Sequence, residues 1–192
     1  TSHAPSGLEI DGPDGDDGEW CFLVDQWYIY FSTISDGTIA PGSDLQLGTY
    51  TDKNLATQIG TVMVHFMTDQ ELGMPLPPSY FKSGPQLFIE IGGLAFDMTT
   101  LSDIIDPSRS WYDNEFSIRF QTQGTTPGMM TILGYENNQV IAQKEVFLDP
   151  AVGTYQEGIA APQGKNLDRV EVVTDSPVSF DHWEVEIIVV DP

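Results

Sequence analysis

The C-terminal stretch, residues 176–192, most constrains what this chain can fold into. Trp183, Val185, Ile187 and Val189 alternate with Glu184, Glu186, Ile188 and Val190, the two-residue period of a strand with one buried face. Upstream, Val178, Phe180 and His182 fall on the opposite parity. One residue of slip sends every side chain of a strand to its other face, so a bulge or bend near Asp181 and His182 has to join the two halves. A carboxylate and an imidazole therefore stand at an irregular spot in a core strand.

The same alternation recurs along the chain. Val62, Val64 and Phe66 alternate with Thr61, Met63, His65 and Met67, which turns His65 away from the apolar trio as a half-exposed strand residue. Phe116, Ile118 and Phe120 alternate with Glu115, Ser117, Arg119 and Gln121. Residues 129–135 and 140–148 read as a hairpin closed by Glu136-Asn137-Asn138-Gln139, where Asn tolerates positive φ. Leu87, Ile89 and Ile91 mark a strand, Gly92-Gly93 a turn, and residues 94–98 a further short strand. The apolar run 20–34 is broken by Asp25 and Gln26, giving two strands or one bent strand. Residues 35–57, 73–85 and 149–166 read as loops, and 101–113 holds the one short helical turn. These patterns predict an all-β protein, an antiparallel β-sandwich of about nine or ten strands with little helix. Residues 20–192 form a single domain preceded by an acidic arm, residues 1–19.

Charge narrows the partners. Twenty-nine acidic residues face seven basic ones, a formal net charge of -22. Such a chain is repelled by nucleic acid and by anionic membrane surfaces, and no apolar run approaches the ~18 residues of a membrane helix. The acid excess fits calcium ligation or solvation in an extracellular setting. The lone Cys21, inside Trp20-Cys21-Phe22-Leu23-Val24, reads as a buried inert thiol. Neither a Gly-x-Ser-x-Gly elbow nor a His-Glu-x-x-His helix occurs, and three histidines with one cysteine are too sparse for a catalytic zinc or a thiol–imidazole pair. The chain is therefore expected to be non-catalytic.

Glu9, Asp11, Asp14, Asp16, Asp17 and Glu19 place six carboxylates in eleven Gly- and Pro-rich residues. The arm reads either as a solvated tail or as a calcium loop; EF-hand spacing fails because Glu19 stands where that loop needs glycine. Tyr80 and Phe81, in the proline-laden stretch 73–85, and Trp111 with Tyr112, in 101–113, are the candidate ligand-contact aromatics, since they fall outside the alternating strands. Flat aromatic faces suit the apolar faces of sugar rings, with Asp, Asn and Gln as hydroxyl partners.

Leu94-Ala95-Phe96-Asp97, the strand at 115–121, Ile132-Leu133-Gly134-Tyr135 with Asn137-Asn138-Gln139-Val140-Ile141-Ala142, Leu167-Asp168-Arg169-Val170-Glu171-Val172 and Ser179-Phe180-Asp181-His182-Trp183 together form a pattern. Over residues 86–190 it resembles the galactose-binding-domain-like jelly rolls found in carbohydrate-binding modules and secreted bacterial surface proteins. The resemblance implies a jelly-roll sandwich in which Asp181 ligates a structural calcium with Glu9, Asp11 or Glu19; alternatively Asp181 caps the bulge through backbone hydrogen bonds. Residues before 86 depart from the family pattern. The expected function is a secreted, calcium-dependent binding module for a glycan or a peptide at a surface. The alternative is a self-associating fibre or surface-layer subunit with calcium at its contacts.

Overall fold

The computed structural model describes residues 24–50, 57–99, 115–162, 164–180 and 185–190. Among these lie thirteen strands: β1 (Val24–Tyr30), β2 (Gly37–Ile39), β3 (Asp44–Tyr50), β4 (Gln58–Phe66), β5 (Ser79–Ser83), β6 (Gln86–Asp97), β7 (Glu115–Thr122), β8 (Gly128–Glu136), β9 (Gln139–Leu148), β10 (Thr154–Ala160), β11 (Arg169–Thr174), β12 (Val178–Phe180) and β13 (Val185–Val190). One helical turn, α1 (Asp69–Leu72), follows β4. It is capped at both ends: Thr68 Oγ1 accepts from the Glu71 N–H, the Glu71 carboxylate accepts from the Thr68 N–H, and Gly73 closes it in the left-handed region.

The strands form an antiparallel β-sandwich of jelly-roll type. Sheet I holds β10, β7, β13 and the first half of β1, and it continues from β7 through β12 and the first half of β6 to β5 and β2. Sheet II runs β9-β8-β11-β6-β4-β3-β1, using the second halves of β6 and β1. Two strands therefore belong to both sheets. β1 pairs with β13 through Val24–Trp27 and with β3 through Tyr28–Tyr30, which makes 20–34 one bent strand where it is described. β6 turns at Gly92, whose φ of 154° lies outside what a side-chain-bearing residue readily adopts. The expected Gly92-Gly93 turn is thus a bend inside a continuous twelve-residue strand.

Alternation places the core. Val62, Val64, Phe66, Leu94, Phe96, Phe116, Ile118, Phe120, Ile132, Val170 and Phe180 are fully buried between the sheets, each such side chain stabilising the fold by roughly 1.5–3 kcal/mol. Phe96 packs on Phe116 at 5.1 Å and Phe66 on Tyr80 at 5.1 Å, joining one sheet to the other. The parity conflict in the last strand is resolved along β7. Ser179 of β12 stands opposite Gln121 and Val185 of β13 opposite Ile118, so the sequence advances six positions where β7 advances three. That odd difference is what a change of parity requires.

Three expected loops hold regular structure instead. Residues 35–57 contain β2 and β3, 149–166 contain β10, and 73–85 contain β5. Their sequences are polar on both parities or interrupted by glycine, so hydrophobic alternation was faint although the backbone pairs normally. The expected helical turn in 101–113 lies outside the described residues.

Candidate functional site

A groove of about 520 Å³ crosses the outer face of sheet II. With Leu47, Val64, Phe96, Val170 and Ile132 turned inward, the intervening residues of each strand face out. Register lines them up in two rows: Met63, Asp97, Arg169 and Tyr135 in one, Asp44, His65, Ala95 and Glu171 in the other. Thr99, Asn137, Asn138 and Asp168 complete the wall at the end of the sheet.

Hydrogen bonds fix this end in place. The Asp97 carboxylate accepts from the Thr99 N–H at 3.1 Å and from its hydroxyl at 2.5 Å. Asp168 accepts from the Asn137 N–H at 2.6 Å, while its own N–H donates to the Tyr135 carbonyl and its carbonyl accepts from the Met98 N–H. Asn137 and Asn138, at φ 51° and 63°, form the hairpin turn read from the sequence. The Arg169 guanidinium lies 4.1 Å above the Tyr135 ring, a cation–π contact, with Nε 3.3 Å from Glu171. The Tyr135 hydroxyl donates to the other Glu171 oxygen at 3.0 Å. Burial and this carboxylate raise the phenol's pKa, so Tyr135 stays a neutral donor. The groove thus presents carboxylates, amides and one guanidinium on rigid strand ends, a set able to exchange hydrogen bonds with several hydroxyls at once.

At the groove's other corner, His65 Nδ1 lies 2.7 Å from Asp44 and Nε2 lies 2.8 Å from Glu71. Partial burial alone lowers the imidazole's pKa, but hydrogen bonds and charge from Glu71 and Asp44 outweigh it and hold the value above 6.5. The same contact with His65 holds Glu71 below its ordinary 4.5. Further along the same face lie Tyr28, Tyr30 and Tyr50, apart from the main core. Tyr30 and Tyr50 meet edge to face at 5.8 Å. The Tyr50 ring lies across Gly48, where a Cβ would sit 2.8 Å from it; glycine is what lets the ring lie flat on the sheet.

Of the expected contact aromatics, Tyr80 is corrected to a core residue. It is 1% exposed, lies on strand β5, and its hydroxyl bonds the backbone of Met67 and Gly93. Phe81, the next residue, faces out at 45% exposure. It stands opposite Phe88 in a second groove of about 510 Å³ on sheet I, with Glu90 and Gln123 alongside. Trp111 and Tyr112 lie outside the described residues, as do Glu9, Asp11, Asp14, Asp16, Glu19 and Asp181. Among the described residues no three histidine, cysteine or acidic groups are arranged to hold a metal ion, so calcium is not assigned to any of them. No described helix is long and apolar enough to cross a membrane.

Sequence reasoning passed over Asp97, Asn137, Asn138, Asp168 and Arg169. A signal was present: each is a polar residue at the end of an apolar strand segment that the family pattern already marked. Three such ends, distant in sequence, meet at one end of sheet II.

No family model matches the chain, and no curated protein matches it. Among solved structures, the chain is similar to carbohydrate-binding modules. A family 4 module shares 13% identity at a TM-score of 0.39, over 65% of this chain and 86% of that one. A family 29 module complexed with mannohexaose shares 10% at 0.41, over 87% and 92%. The third is a Clostridium thermocellum N-terminal endo-1,4-beta-D-xylanase 10B structure of CBM22-1–GH10 modules complexed with xylohexaose. It shares 16% at 0.34, over 86% of this chain and 28% of that one.

Proposed function

We propose that this protein is a non-catalytic, extracellular carbohydrate-binding module that takes a neutral glycan into the groove on sheet II. The observation that carries the reading is the convergence of Asp97, Asn138, Asp168 and Arg169 at one sheet end, held by backbone hydrogen bonds and the Tyr135 ring. Pre-positioned polar groups lose little freedom on binding, which favours a polyhydroxyl ligand. Asp44, Asp97 and Asp168 against Arg169 disfavour an anionic polymer. Calcium belongs to the proposal only through Glu9, Asp11, Asp14, Asp16, Glu19 and Asp181; a melting temperature that does not move between calcium and a chelator removes it.

The test is calorimetry against a panel of neutral hexasaccharides, including mannohexaose, xylohexaose and cellohexaose. Arg169→Ala is expected to weaken binding about tenfold, equivalent to 1.4 kcal/mol, and Phe81→Ala to leave it unchanged. Loss on Phe81→Ala with none on Arg169→Ala moves the ligand to sheet I. A second reading, self-association, is favoured by β9, a ten-residue strand at the edge of sheet II among the described residues, which exposes Val140 and Phe147. Sedimentation velocity that shows a monomer at all concentrations dismisses it.

A further inference from the structure

The Asp44–His65–Glu71 contact has a geometry that specifies a protonation state. A neutral imidazole donates from one nitrogen and presents a lone pair on the other. Here a carboxylate oxygen approaches each nitrogen, at 2.7 Å from β3 and at 2.8 and 3.0 Å from α1. Either neutral tautomer sets a lone pair against a carboxylate, so only the imidazolium satisfies both. From β6 the facing residue is Ala95, which carries no charge. Glu71 is shared, since its Oε1 also accepts from the Thr68 N–H and hydroxyl.

We propose that charged His65 is a positioning residue of the sheet II groove, holding Asp44 in the groove wall and Glu71 on the α1 cap, so that glycan uptake weakens as His65 loses its proton with rising pH. The inference rests on the glycan reading for its effect on uptake; the clamp itself is measurable without ligand. Loss of the proton sets the imidazole lone pair against Asp44 or Glu71 and frees the carboxylate it faces. The raised pKa of His65 agrees with this and fixes the sign. The contribution is complete below the ordinary value of 6.5 and disappears as pH rises through the folded-state pKa.

The test titrates the histidine ring protons of the whole chain by NMR, with His65→Gln identifying the resonance. His65 is expected to titrate above 6.5, and Asp44→Asn and Glu71→Gln each to lower its pKa. A wild-type value at or below 6.5, or one that neither substitution moves, overturns the clamp. In parallel, calorimetry with the tightest hexasaccharide of the panel follows affinity from about pH 6 to about pH 9. Affinity is expected to fall several-fold in the wild type and to stay flat in His65→Gln. A flat wild-type profile despite a high His65 pKa overturns the coupling to the groove. If no hexasaccharide binds at any pH, the proposal falls with the glycan reading, and the NMR titration shows whether the clamp survives it.

Discussion

Tyr80→Phe is a demanding test of the packing described here. The Tyr80 hydroxyl has the Met67 carbonyl at 2.7 Å and the Gly93 carbonyl at 2.9 Å as acceptors for its proton, and its oxygen accepts from the Gly93 N–H at 2.9 Å. Removing the oxygen leaves a buried N–H without that acceptor, a loss of about 1–3 kcal/mol. In a chain of this length that lowers the melting temperature by roughly 2–4 °C per kcal/mol. The same hydroxyl leaves a signature at high pH. Burial chiefly, with the Glu71 charge adding and the Gly93 contact opposing, pushes its pKa from 10.0 up to about 12. The unfolded chain then releases this proton first. Wild-type stability accordingly declines between those values, by roughly 3 kcal/mol at 1.36 kcal/mol per pH unit. Phenylalanine has no such limb. Urea unfolding at 25 °C followed by tryptophan fluorescence should show the wild type ahead at pH 8 and the gap closing by about pH 11–12. A variant within about 0.5 kcal/mol of wild type at pH 8, or a gap that stays constant to high pH, refutes the reasoning.

Other substitutions probe other parts. Gly92→Ala places a Cβ 2.6–2.8 Å from the Tyr80 ring and hydroxyl at a φ of 154°; a cost on the order of 3 kcal/mol is expected in urea unfolding. Phe96→Ala, at a fully buried site against Phe116, should cost about 3–5 kcal/mol. Thr68→Ala removes half of the α1 capping box and should cost about 1 kcal/mol, read from the shift in denaturation midpoint. Phe81→Ala, at a half-exposed position, should lower the melting temperature far less than Phe96→Ala.

The fold was legible wherever one parity was apolar. Val62, Val64 and Phe66, or Phe116, Ile118 and Phe120, announce a buried face without ambiguity, and all six are fully buried. β3 was not legible: Asp-Leu-Gln-Leu-Gly-Thr-Tyr carries its outward tyrosine and inward threonine on parities that cancel the pattern. β5 hid for a different reason, since its inward pair is Tyr80 and Lys82, whose buried ammonium donates to the Ile34 carbonyl at 3.1 Å. The site was legible only in pieces. The Asn137-Asn138 turn and the half-exposed His65 could be read locally. That Asp97, Asp168 and Arg169 converge depends on strand order, and single-chain periodicity carries no information about which strands become neighbours.

The strands β1 and β6, each shared by both sheets, have a mechanical consequence. In a sandwich whose layers are joined only by loops, one layer can loosen while the other holds. Here the backbone itself passes from layer to layer through hydrogen-bonded strand, so the layers cannot shear past one another without rupturing ladders in both. Neither sheet is therefore expected to melt by itself, and slow amide exchange should span the two as a single cooperative block. A groove on the outside of one sheet therefore inherits the rigidity of the whole sandwich.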